Sequence, residues 1–294
     1  MIAPDVSSYR AQGYVVVDDV LDADTLATLR DVVDEFVERS RQISRSDSVF
    51  DLEPEHQPSR PLVRRLKQPV HQHAAFEEVM RSPGVLDAVA ALIGDDVRYH
   101  SSKLNLKSSS GGGAVEWHQD FAFQPHTNDD LCVCGIALDD ADPDNGCLLV
   151  VPGSHTGPIL DHHDASGRFV GAVDPRLVPS FMPLPLKAGS MSIHHTRLLH
   201  ASAPNRSGRQ RRLLLLQYAA ADAFPLTYVP MMNAPDFGDF ASRVVRGHGT
   251  TVARLSGALS VRLPHLKGNY GSIYEQQRQL GRSAFSGERT ERQG

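Results

Sequence analysis

Cysteine is scarce in this chain: three residues in 294, which cannot all pair. Cys132 and Cys134 are separated by one residue, not by the two-residue gap of zinc knuckles and redox motifs. They and Cys147 read as small buried hydrophobes on strands, in a reducing compartment. Long apolar runs are also missing. A stretch such as Leu213–Leu216 falls far short of the ~20 residues of a membrane span. Met1–Asp5 lacks the charged and apolar regions of a secretion signal, so a cytoplasmic protein is expected. Nor is there a basic surplus. The net charge of −5 and pI of about 6.3 argue against a nucleic-acid groove or a polybasic membrane patch. Arg206, Arg209, Arg211 and Arg212 are then one buried arginine among solvated neighbours. No internal repeat or low-complexity linker interrupts the chain.

Hydrophobic residues make up 40% of the sequence, enough for a sizeable core. Gly13–Val17 reads as a short β-branched strand. Leu26, Leu29, Val33, Phe36 and Val37 then recur at helical spacing, with Asp22 or Asp24 as N-cap. A polar stretch from about residue 40 to 72 has no clean period and reads as a long, lid-like loop. One helix follows around Phe76–Met80. Another opens with Ser82 as N-cap and Pro83 at the first helical position, and Gly94 lies just past its end.

From residue 97 the pattern becomes short strands: Val97–Lys107, Val115–Phe123, Leu131–Leu138, Cys147–Val151, Ser190–His195 and Arg212–Ala220. Turn signals such as Gly111-Gly112-Gly113 and Asn145-Gly146 separate them. This spacing predicts a mainly β double-stranded β-helix, a cupin-like jelly roll with flanking helices. A single domain over 1–294 is expected, with helices and lid in 1–96, the jelly-roll core in 97–225 and an extension over 226–294. The last dozen residues are polar and expected to fray.

His118-Gln119-Asp120 carries the most chemical information. On a strand, residues i and i+2 share a face, so an imidazole and a carboxylate converge on one point. A third ligand is available at His200, which enters a Pro-, Asn-, Ser- and Gly-rich turn. Two histidines and one carboxylate hold non-haem Fe(II) on one face and leave positions open for O2 and a co-substrate. Arg211, eleven residues after His200, begins the next apolar strand. A guanidinium there can clamp a carboxylate bidentately, as a dicarboxylate such as 2-oxoglutarate requires.

These residues, with Asp144–Leu148 running into Val151-Pro152-Gly153-Ser154-His155, resemble the phytanoyl-CoA dioxygenase family over residues 8 to 225. The resemblance implies iron ligation by His118, Asp120 and His200, and a clamp at Arg211 on the distal carboxylate of 2-oxoglutarate. It also implies that Ser202 reaches that carboxylate and that Asn105 contacts the co-substrate. The implied reaction is oxidation of an unactivated C–H bond of a small molecule, with succinate and CO2 as co-products. A metabolite, an amino-acid-like solute or an acyl-CoA ester would serve as substrate. Gln119 and Phe121–Phe123 depart from the ectoine hydroxylase branch, and Asp120 stands where halogenases carry a small residue.

Other histidines have plainer readings. His194 and His195, adjacent on a strand, point to opposite faces and are assigned structural roles; His71 and His73 lie in the polar loop. His162 can line the pocket mouth. Trp117 points away from the ligand side, which leaves both core and pocket roles open. Two rival classes remain: a cupin-like metalloenzyme without 2-oxoglutarate, which needs no Arg211, and a non-catalytic jelly-roll binding module.

Overall fold

Apolar side chains fall on both faces of the central strands, so a large sheet packs against helices on one side and a smaller sheet on the other. The computed structural model describes residues 3–109, 112–227, 237–257, 260–263, 272–277 and 283–285. The leading segment contains α1 (Val6–Gln12), β1 (Tyr14–Val17), α2 (Ala23–Arg39), β2 (Phe50–Leu52) and β3 (Val63–Lys67). The short α3 (Pro69–Gln72) and α4 (Ala74–Met80) precede α5 (Pro83–Ile93). The barrel strands are β4 (Val97–Lys107), β5 (Val115–His118), β6 (Leu131–Ala137), β7 (Leu148–Val150) and β8 (Met182–Leu184). They continue with β9 (Met191–His195), β10 (His200–Ser202) and β11 (Arg211–Ala220). Beyond them lie α6 (Phe237–Ser242), β12 (Val244–Arg246) and α7 (Ile273–Gln277).

Two antiparallel sheets result. The larger runs β1-β9-β6-β11-β4-β3-β2, with β12 also on β4; the smaller runs β5-β10-β7-β8. This is the expected jelly roll. The strand β11 shows why its leucine run is continuous. Leu214 and Leu216 point into the core beneath α2, α4 and α5, while Leu213 and Leu215 line a cavity between the sheets. Each such fully buried leucine contributes roughly 1.5–3 kcal/mol. The helix expectations hold for α2, where Asp22 accepts a hydrogen bond from Thr25 N at 2.8 Å. Ser82 precedes α5 as expected, but its hydroxyl donates to Val79 O instead of capping.

Two stretches differ from the sequence reading. Residues 40 to 72 are not a long loop, for β2 and β3 pair with each other and extend the large sheet beside β4. Their apolar period is hidden because Asp51, Arg64 and Arg65 are buried as ion pairs and hydrogen-bonded groups. The strand expected over Val115–Phe123 ends at His118, and Asp120–Ala122 form a 3₁₀ turn. Phe121 N donates to Thr196 O and pulls the chain out of the sheet there. The fraying expected of the last dozen residues concerns a segment that, apart from residues 283–285, lies outside the described residues.

Candidate active site

His118 ends β5 and His200 begins β10, and the antiparallel register pairs them directly. Gln119 keeps extended geometry (φ −120°, ψ 122°), which returns Asp120 to the same side as His118 before the turn begins. His118 Nε2 lies 3.8 Å from Asp120 Oδ1, and His200 Nε2 lies 3.7 Å from Asp120 Oδ2. One donor atom from each of the three residues lies within 4.8 Å of the others, and all three residues are buried.

Backbone carbonyls orient the imidazoles. His118 Nδ1 lies 2.7 Å from Glu116 O, and His200 Nδ1 lies 2.9 Å from Leu198 O. With Nδ1–H donating, each Nε2 lone pair is left for a metal. Burial, reinforced by the facing His200, keeps His118 protonation well below the usual imidazole range, and burial brings His200 down to about 4. Burial opposes ionisation of Asp120. Lys103 first, then His194 and the two imidazoles, more than offset it and hold its carboxyl well below the carboxylate range. Two neutral imidazoles and one carboxylate are therefore the resting charge state.

Arg211 lines the same cavity. Its guanidinium is buried, Nη2 lies 3.4 Å from Ser202 Oγ, and Nε and Nη1 have no hydrogen-bond partner among the described residues. Burial lowers its pKa. A buried, incompletely paired guanidinium is costly unless a ligand anion completes it. Ser202 Oγ in turn donates to Gly146 O at 2.9 Å. Gly146 adopts φ +81°, and a Cβ there would run into Ala203 O, so the Asn145-Gly146 turn needs glycine. Asn105 lines the same cavity, with Oδ1 accepting from Arg65 Nε at 3.1 Å. All six residues singled out from the sequence thus line one space.

Several neighbours were not assigned to it. His194, expected to be structural, lines the cavity with Nε2 3.4 Å from Asp120 Oδ2, and its buried Nδ1 is unpartnered. His194 and His195 do face opposite ways, but strand alternation alone carries no sign of which one faces inward. Lys103, Arg65 and Ile273 also line the cavity. Gln119 points elsewhere: its amide donates to Arg197 O and Pro158 O and accepts from Leu160 N. His162 is a buried brace whose Nε2 accepts from Gln119 N, so it does not stand open at a pocket mouth. Trp117 packs in a separate apolar cluster and against Phe181. His73 caps α4 and His71 packs edge-on to Tyr99.

The donor set fits ferrous iron with open positions, and the unpaired guanidinium fits a dicarboxylate. The fold and this site define a non-haem iron dioxygenase that uses 2-oxoglutarate. Residues 9–213 match the phytanoyl-CoA dioxygenase (PhyH) family, and the chain belongs to it. It is 34% identical over 288 residues to a probable alpha-ketoglutarate-dependent hypophosphite dioxygenase of Stutzerimonas stutzeri, covering 95% of this chain and 98% of that one. It is 30% identical to the L-proline trans-4-hydroxylase of Streptomyces griseoviridis, over 49% of this chain and 63% of that one. Among solved structures, AviO1 from Streptomyces viridochromogenes Tue57 superposes with a TM-score of 0.58 at 29% identity, covering 73% of this chain and 92% of AviO1. Among the described residues no helix is long and apolar enough to cross a membrane.

Proposed function

We propose that His118, Asp120 and His200 hold the iron, that Arg211 and Ser202 bind the distal carboxylate of 2-oxoglutarate, and that Asn105 contacts the co-substrate. The observation that carries this reading is one cavity with a buried His–Asp–His donor set at one place and an incompletely paired guanidinium at another. When bound, iron would let O2 act as the oxidant, with 2-oxoglutarate giving up two electrons as it becomes succinate and CO2 and the substrate bond giving up the other two. The chain's own residues bind, orient and exclude water. Backbone carbonyls aim both imidazoles, and Arg211 fixes one end of the co-substrate. Leu213, Leu215, Val133, Leu148 and Ile273 keep the walls apolar, which limits water around a reactive centre.

The substrate is a small molecule whose C–H or comparable X–H bond is oxidised. The two relatives above act, by their names, on hypophosphite and L-proline, both of which carry an anionic oxygen group. Arg211 favours this reading over a metalloenzyme without 2-oxoglutarate, which would leave that guanidinium unpaired. Titration of the apoprotein with Fe(II) under nitrogen, read by Trp117 fluorescence, tests the metal site. Saturable quenching is expected in the wild type, weakened at least tenfold in His200→Ala. Equal affinity in the variant would refute His200 as a ligand.

A further inference from the structure

We infer that Lys103 is the binding group for an anionic primary substrate, at the end of the cavity away from Arg211; this rests on the iron and co-substrate assignments above. The register fixes the separation. Arg211 pairs with Lys107 across β11 and β4, whereas Lys103 pairs with Leu215, four residues further along. At about 3.3 Å per residue, the two levels lie about 13 Å apart. Lys103 therefore leaves the sheet well along the strand from the level at which Arg211 does. It stands beside the metal ligands, with Nζ 3.8 Å from Asp120 Oδ1.

At 3.8 Å the ammonium is too far for a hydrogen bond to Asp120. The Lys103 side chain is 25% exposed, and Asp120 is committed to iron once the site is loaded. The ammonium then has donors to spare, facing the cavity.

Charge balance points the same way. Among the described residues, three cations, Arg65, Lys103 and Arg211, line the cavity against one carboxylate, Asp120. Ferrous iron and the 2-oxoglutarate dianion cancel each other, so loading leaves two positive charges uncompensated. Asp51, 3.8 Å from Arg65, offsets part of this, but it also pairs with Lys67 at 2.9 Å. A buried surplus of this kind is relieved by an anion. The substrate class that fits is a compact oxyanion, with its acidic group on Lys103 and its oxidisable bond turned towards the iron.

Binding to the Fe(II)- and 2-oxoglutarate-loaded protein without oxygen tests this directly. The probes are phosphite, acetate and the neutral acetamide, measured calorimetrically for wild type, Lys103→Met and Lys103→Arg. At least one oxyanion should bind the wild type and lose tenfold or more in Lys103→Met, with partial recovery in Lys103→Arg. Binding should weaken with salt, and acetamide should bind at least tenfold more weakly than acetate. The Kd for 2-oxoglutarate should change less than threefold. Loss of iron affinity in Lys103→Met with unchanged oxyanion binding would make Lys103 a positioning residue for Asp120 and overturn the inference. So would equal binding of acetamide and acetate, or no oxyanion binding by a wild type that takes up both iron and 2-oxoglutarate. A wild type that binds neither of those contradicts the underlying site assignment instead.

Discussion

His194 Nε2 lies 3.4 Å from Asp120 Oδ2, reaching from β9 of the larger sheet to the 3₁₀ turn that follows β5. His194 is thereby placed to orient the carboxylate proposed as an iron ligand. Partners of metal-binding groups are commonly worth 10–100-fold in metal affinity. His194→Leu should therefore weaken Fe(II) binding by about that factor while leaving the circular dichroism spectrum unchanged. Equilibrium dialysis under nitrogen reads the affinity. An unchanged Kd would leave Asp120 oriented by its own turn alone.

Arg211 makes two opposed predictions. A charged hydrogen-bonding partner is worth about 1.5–3 kcal/mol, so Arg211→Met should raise the KM for 2-oxoglutarate roughly 10–100-fold. The same change removes a buried guanidinium with two unpartnered nitrogens. Thermal stability of the apoprotein should then hold or rise. A lower melting temperature with unchanged KM would assign Arg211 to the fold and not to the co-substrate.

Acid should destabilise the apoprotein before its carboxylates titrate. Burial depresses His126, His162 and His200 to about 4, and His100 and His195 to about 3. Unfolded imidazoles take up protons below about 6.5, whereas these folded ones resist until far lower. Unfolding thus consumes protons between about pH 6.5 and 4, and stability falls as pH drops through that window. Above pH 6.5 these groups contribute no pH dependence. Each group contributes about 1.4 kcal/mol per pH unit inside the window. The urea midpoint should be clearly lower at pH 5 than at pH 7; an equal or higher midpoint at pH 5 contradicts the buried, neutral assignment.

The jelly roll was legible because strand alternation and turn residues are local signals, as in Asn145-Gly146 and the leucine run of β11. Within the candidate site, the convergence of His118 and Asp120 was legible because H-x-D on an extended segment needs only neighbouring backbone geometry, whereas Ser202 and Asn105 rested on the family resemblance. What stayed hidden depends on pairing between distant strands. Arg65 enters the cavity only because β3 joins the edge of β4, and its buried charge disguised that strand as a loop. His194 and Lys103 reach Asp120 through β9 and β4, whose inward faces no single segment reveals. Ile273 arrives on α7, far along the chain, where a polar extension gave no cue.

One cavity is proposed to hold iron on His118, Asp120 and His200 together with 2-oxoglutarate on Arg211. The visible absorption spectrum of the protein with Fe(II) and 2-oxoglutarate, taken without oxygen, tests it most directly. A metal-to-ligand charge-transfer band should appear in the wild type, vanish in Asp120→Ala and weaken in Arg211→Ala at limiting 2-oxoglutarate. A wild type without the band, or an Asp120→Ala protein that keeps it in full, would contradict the account.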